Sequence, residues 1–210
     1  MDFISRIQDG IRIDPESVKA EQIREENTYG GLRIKLVCEL GEIKISLQID
    51  VGLGDSVYPS TDLTDFPTLL DFDTPRIRAY PTETVVAEKS QTIVELGMRN
   101  SRIKDYYDIY YLSQHFAFNG ADLREAVHLT FQRRKTALPS ATPIGLSEAF
   151  ATEPQKQIQW SAFIRKNRLN APNELLEIVH RLESFVLPTL LDPAIAKKSW
   201  NPETGWNSQA

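Results

Sequence analysis

One cysteine in 210 residues rules out an internal disulfide, and Cys38, set in an apolar alternating run, reads most simply as a small core residue. The three histidines, His115, His128 and His180, lie far apart without metal-type spacing, which together with the lone thiol argues against a zinc site. There is no G-x-x-x-x-G-K-S/T loop and no G-x-G-x-x-G after a strand, and Gly52-Leu53-Gly54-Asp55 is too short to count as either. A hydrolase elbow of the form G-x-S-x-G is missing as well. Long apolar runs are also lacking. The opening MDFISRIQDG has no basic region followed by a signal-length apolar segment, and no other stretch approaches a membrane span, so the cytoplasm is the default location. A net charge of −5 argues against non-specific binding to a polyanion as the main activity, and leaves room for a local basic groove.

What is present is ordinary for a globular chain: 41% apolar and 25% charged residues, enough to bury a core. The first eighty residues lean towards strand. Ile11–Ile13 suggests a short strand, and Asp14-Pro15 then has the form of an N-cap and first-turn pair opening a short helix through SVKAEQIREE. GGLRIKLVCEL and EIKISLQIDVG alternate apolar and polar residues around Leu40-Gly41-Glu42, which predicts an antiparallel hairpin. Pro59, Pro67, Pro75 and Pro81 break up the next stretch, leaving a short extended segment at RIRAY. After Pro81 the period turns helical. Thr82 can cap a helix that Gly97 ends, and further helices are expected near 102–116, 120–134, 146–151, 156–167 and 173–187. The division expected is a strand-rich part over 1–80, a helical domain over 81–196 and a polar tail over 197–210, extended or loosely docked.

Candidate chemistry concentrates in Asn100–Leu112, NSRIKDYYDIYYL. On a helix Lys104, Asp105 and Asp108 project from neighbouring positions, a group that could meet a triphosphate and its metal or could be a solvated ion pair. Tyr107 and Tyr111, four apart, are equally suited to half-buried packing. Asp50, near the end of LQIDVG with Gly52 and Gly54 following, stands where backbone approaches a ligand closely. Carboxylates of this kind hold Mg²⁺ against phosphates, though a plain turn residue would look the same. Asp55 reads as a turn former. Lys89 in VVAEKSQ could neutralise phosphate charge or lie exposed on its helix. The run Arg133-Arg134-Lys135 could contact RNA phosphates or simply favour a helix C-terminus.

The order of these segments is more informative than any one of them: LQIDVGLGD, FPTLLDF, RAYPTETVVAEKSQTIVELGMRNSRIKDYYDIYYL and FNGADLREAVHLTFQRRKTALP. Together, from about Ile11 to Pro188, they resemble the AbiEii/AbiGii family of toxin nucleotidyltransferases, most specifically from AEK through RIKDYYDIYYL. The resemblance implies an α+β protein: an incomplete polymerase-β-like nucleotidyltransferase core with an antiparallel hairpin, followed by a helical domain. It matches Asp50 to the third acidic, metal-holding position. Lys89 matches the lysine of the family's helical motif, while Lys104, Asp105 and Asp108 match its Lys-Asp-x-x-Asp element, with Lys89 and Lys104 meant for the nucleotide. Implied with them are Mg²⁺, an NTP, an RNA acceptor such as tRNA or a protein acceptor, a cognate antitoxin, and a role in toxin–antitoxin or phage defence.

One part of the family pattern is missing. No Gly-Gly/Ser turn with a D-x-D pair precedes Asp50, and Asp2, Asp9 and Asp14 lack that spacing. The expectation is a chain that begins after the first catalytic motif, with one of three metal carboxylates. Such a chain would leave sheet edge and apolar surface uncovered around GGLRIKLVCEL and LQIDVG, and so would self-associate or require its antitoxin. The rival expectation is a catalytically inactive remnant that serves as a protein-binding module.

Overall fold

Asp14 and Pro15 do not open a helix. The structure, a computed structural model, describes residues 10–23, 30–54, 56–61 and 63–208, and the first of these segments holds strand β1, Ile11–Ile23. β1 pairs antiparallel with β2, Gly31–Leu40, in a register that runs from Ile11↔Leu40 to Asp14↔Val37 and resumes at Lys19↔Lys35. Five steps on β1, Asp14 to Lys19, therefore face two on β2, Val37 to Lys35, and the segment holding Pro15 bulges from the ladder. Asp14 Oδ1 accepts from the Glu16 N–H at 3.0 Å. Ser17 Oγ donates to the Asp14 carbonyl at 2.6 Å and accepts from the Val37 N–H at 2.8 Å. The local bonding that would cap a helix closes a bulge instead, because β2 offers a ladder on both sides of it. Residues 24–26 of the expected helix, like Asp2, Asp9 and Asp55, lie outside the described residues.

The hairpin forms as its alternation predicts. β2 pairs with β3, Ile43–Gly52, from Leu40↔Ile43 to Gly31↔Gly52, and Gly41 turns the corner at φ +59°. The two-residue period puts Ile34, Cys38, Ile45 and Ile49 on one face and Arg33, Lys35, Gln48 and Asp50 on the other. Cys38 is buried, whereas Ile43, Ile45, Leu47 and Ile49 are exposed. The sheet order is β1-β2-β3, within a compact unit spanning Met1–Asp55.

The second unit, Ser56–Ala210, begins with a short antiparallel pair, β4 (Leu63–Asp65) and β5 (Arg76–Arg78), the latter inside the expected RIRAY segment. Helices follow: α1 (Thr82–Leu96), α2 (Ile103–His115), α3 (Gly120–Arg133), α4 (Glu148–Ala151), α5 (Pro154–Asn167) and α6 (Leu175–Leu191). Thr82 is the first residue of α1 rather than its cap, a position Pro81 takes with no side-chain hydrogen bond. Asn119 caps α3, its Oδ1 accepting from the N–H groups of Ala121 and Asp122, and Glu153 caps α5 ahead of Pro154. α6 runs past the expected limit and through Pro188, because Val186, Thr189 and Leu190 are buried on it and that burial outweighs the roughly 3 kcal/mol cost of an internal proline. The core lies among these helices, around Val86, Tyr106, Leu123, Trp160, Leu182 and Phe185. Among the described residues no helix is long and apolar enough to cross a membrane.

Of the two forms expected of the tail, extended or loosely docked, it takes the extended one and is held in place. Lys198–Asn201 and Gly205–Ser208 form β7 and β8, and β7 also pairs with β6, Phe118–Asn119. The two tryptophans anchor this hairpin. Trp200 Nε1 donates to the Ser113 carbonyl at 2.8 Å, Trp206 Nε1 donates to the Phe185 carbonyl at 3.0 Å, and the Arg181 guanidinium lies 4.6 Å from the centre of the Trp200 ring. A polar composition concealed one buried ring, Trp200, and one half-buried ring, Trp206. Where α3 meets this hairpin the backbones nearly touch: a Cβ on Gly120 would come within 2.0 Å of the Ile195 carbonyl oxygen and 2.6 Å of that of Lys198. Gly120→Ala is therefore expected to cost about 2 kcal/mol through forced backbone displacement, read as a lower urea midpoint with unchanged slope.

Candidate functional site

Four of the sequence-predicted residues come together where α1 and α2 pack. Lys89 sits on α1 and Lys104, Asp105 and Asp108 on the first turns of α2, with Gly97 ending α1 and Asn100 setting the connection between them. Asn100 is fully buried. Its Oδ1 accepts from the Arg102 N–H at 2.8 Å and its carbonyl accepts from Lys156 Nζ at 2.7 Å, so the start of α2 is fixed from within.

Lys89 Nζ lies 2.7 Å from Asp105 Oδ1 and 2.7 Å from Asp108 Oδ2. Arg102 Nε reaches Asp105 Oδ2 at 2.8 Å, and Lys104 Nζ reaches Asp108 Oδ2 at 2.5 Å. Charges thus alternate from Arg102 through Asp105, Lys89 and Asp108 to Lys104, three cations against two carboxylates, which leaves one net positive charge. Exposure is graded along this network. The Asp105 side chain is 3% exposed and that of Lys89 19%, while Arg102 and Lys104 are 57% and 69% exposed. The interior of the network is fixed, and its two ends present cations to solvent. Burial pulls the Lys89 ammonium towards neutrality, but the two carboxylates outweigh it and hold the group above an ordinary lysine value. Lys89 is accordingly a permanent cation at neutral pH, suited to stabilising charge and unsuited to taking a proton.

Asp50 belongs to the first unit. Its carboxylate accepts from Arg33 Nε and Nη2 at 2.8 and 2.9 Å, a bidentate pair across the β2–β3 register, with Gln48 Nε2 at 3.3 Å. Within the same unit Glu21 pairs with Lys35 at 2.8 Å, so Asp50 stands in a ladder of cross-strand charges. Among the described residues no three His, Cys, Asp or Glu side chains gather as a metal-holding group.

Of the basic run after Phe131, Arg134 turns back onto α1: it donates to Gln91 Oε1 at 2.9 Å and lies 3.4 Å from Glu88 Oε2, which ties the end of α3 in place. Sequence reasoning missed Arg102 and Lys156. Arg102 stands three residues before Asp105, a helical ion-pair spacing that could have flagged it; Lys156, in the polar segment PQKQIQW, carries no such signal.

The profile of the family described as nucleotidyl transferase AbiEii toxin, type IV toxin–antitoxin system, matches residues 2–186. The chain belongs to the AbiEii family. No curated protein and no solved structure matches it at a significant level. AbiEii proteins are nucleotidyltransferase toxins, so a nucleotide substrate, a divalent metal and an antitoxin partner go with the family. The α1–α2 cluster falls inside the matched span, as does Asp50.

Proposed function

We propose that this AbiEii chain transfers a nucleotidyl group from an NTP to an RNA, such as tRNA, or to a protein, and that the α1–α2 cluster holds the triphosphate. The observation that carries this reading is the Lys89 ammonium fixed between Asp105 and Asp108, with Arg102 and Lys104 at the open ends. In such a transfer an acceptor hydroxyl attacks the α-phosphorus and gives up its proton to water, the bond from that phosphorus to the bridging oxygen breaks, and pyrophosphate leaves with the developing charge. Preorganised cations stabilise that charge without reorganising. Here Lys89 supplies fixed charge, Lys104 and Arg102 gather the phosphates, and Asp105 and Asp108 keep Lys89 aimed and protonated.

In the same reading residues 1–80 form part of a polymerase-β-like core, residues 81–196 are a helical domain that holds the triphosphate, and residues 197–210 are a polar tail to that domain. Asp50 supplies the acidic position of that core, and the protein acts in the cytoplasm in phage defence, held in check by its antitoxin. The exposed Ile43, Ile45, Leu47 and Ile49 give that antitoxin, or a second copy, an apolar strip to cover. Mg²⁺ is the ion this reading assigns to the triphosphate. The described residues do not fit a resident metal site, since both Asp50 oxygens take Arg33 and no set of three donors converges. What the chain's own residues supply is charge and position.

The Arg33–Asp50 pair favours a second reading, a non-catalytic AbiEii protein that binds its partner through the same surfaces. Nucleotide binding separates the two. The purified chain is expected to bind an NTP, and Lys104→Glu to weaken that binding roughly tenfold by reversing an exposed phosphate-facing charge. A chain that shows no NTP binding in calorimetry would leave only the second reading.

A further inference from the structure

α2 continues past the charged cluster into an aromatic groove that the proposed phosphate site does not use. Lys104, Asp108, Tyr111 and His115 follow one another at intervals of four, three and four residues, a single stripe along the helix. At its far end Tyr107, Tyr111, His115, Asn170 and Pro172 line an open groove. Tyr111 is 44% exposed, and its ring stacks on that of His115 with centroids 4.0 Å apart and planes within 19°. His115 Nδ1 lies 2.8 Å from the Tyr111 carbonyl, which can only accept, so Nδ1 carries the proton and the ring is locked in place on its neighbour. Behind them Tyr107 packs edge-on against Phe163, its centroid 5.9 Å away, which backs the groove with α5. A stacked pair of rings held to one edge of a groove is a preformed ledge for a flat ligand.

Charge says which flat ligand. The wall Asn170–Pro172 is reached directly from the end of α5, where Arg165, Lys166 and Arg168 are all exposed. Arg168, in the left-handed conformation at φ +52°, is two residues from Asn170 and so within about 7 Å of it along the chain. Arg165 and Lys166 suit the C-terminal end of α5 by its dipole alone. Arg168 lies beyond the helix, and three exposed cations in four residues stand out in a chain of pI 5.3. An aromatic ledge bordered by cations suits a base attached to a phosphate backbone.

We propose that this groove binds an unpaired nucleobase of a single-stranded RNA, with Tyr111 and His115 stacking on the base and Arg165, Lys166 and Arg168 meeting the adjoining phosphates. The proposal rests on the nucleotidyl-transfer reading in that it makes RNA the acceptor. Tyr111 stands seven residues from Lys104, about 10 Å along the helix, so the bound base belongs to a nucleotide near the reacting end.

The test is equilibrium binding of a fluorescently labelled short single-stranded RNA to the full chain, by anisotropy, beside calorimetric binding of free ATP. Tyr111→Ala is expected to weaken RNA binding about tenfold, Tyr111→Phe to keep it, and neither to change ATP binding. Replacing Arg165, Lys166 and Arg168 by alanine is expected to lower the slope of log affinity against log salt by about two. RNA affinity that ignores Tyr111→Ala, or a wild-type chain that fails to bind RNA, would overturn the proposal. Loss of ATP binding with RNA binding intact would also overturn it, because the base would then be that of the nucleotide substrate. Label transfer measured in parallel keeps the two readings apart. A chain whose RNA binding follows Tyr111 but that transfers no label keeps the groove and loses the activity, and a chain that transfers label while its RNA binding ignores Tyr111 loses the groove alone.

Discussion

Lys89→Met is expected to lower the rate of nucleotidyl transfer by about 10²–10³ while the chain remains folded, the scale on which removal of one preorganised charge-stabilising group acts in a transition state. Two carboxylates, Asp105 and Asp108, stand on either side of Lys89. They keep its ammonium charged and fix it at 2.7 Å from each of them, which in the proposed transfer aims a cation that needs no reordering when charge builds on the departing pyrophosphate. Methionine keeps the apolar stem of the side chain and removes only the charge. Lys89→Arg keeps the charge in a planar fork that does not fit the same two oxygens, so partial activity is expected. Transfer of label from an α-labelled NTP, with circular dichroism to verify the fold, measures the effect. A rate within about twofold of wild type would make Lys89 a structural ion-pair residue.

Asp105→Ala acts on the same network through stability. Asp105 is buried, and each of its oxygens receives a cation, Lys89 on Oδ1 and Arg102 on Oδ2. Removing it costs about 3 kcal/mol, the lower end for a broken buried pair, since Lys89 keeps Asp108 and Arg102 is already half in water. The part of this stability carried by Lys89 has a definite pH window. With a folded value held above the ordinary 10.5, it is complete below about pH 10.5 and is lost as the pH rises through the elevated value. Urea unfolding at neutral pH and again above pH 11 is expected to show the gap between wild type and Asp105→Ala narrowing at the alkaline end. A gap that stays constant would mean that Lys89 does not carry that share.

How much of this was legible in the sequence depended on whether local pattern or distant partners decided the outcome. The β2–β3 hairpin was readable because alternation and a Gly41 turn are local, and α1 through α6 were readable from helical period and stop residues. The Asp14-Pro15 segment misled because an N-cap and a bulge use the same side-chain bonds, and only β2, arriving later in the chain, selects the bulge. The extended form of the tail was legible, but its docking was not, because the carbonyls that hold Trp200 and Trp206 belong to Ser113 and Phe185, far back in the chain. In the candidate site, the grouping of Lys104, Asp105 and Asp108 follows from helical spacing. That Lys89 joins them was implied by family resemblance, since no local pattern links residues sixteen apart on different helices. Arg102 completes the network by a spacing that was visible and went unused. The pairing of Asp50 with Arg33 required the register of β2 and β3, which alternation alone does not number.

The central claim is that the α1–α2 cluster serves nucleotidyl transfer, and one measurement addresses it directly: incubation of the purified chain with each α-labelled NTP, Mg²⁺, total RNA and total protein, followed by separation of the products. The account predicts covalent label in a macromolecule from at least one NTP, reduced to near background by Lys89→Met. The absence of covalent label from every NTP, in a preparation that is folded and binds its antitoxin, would contradict it and leave a partner-binding protein in its place.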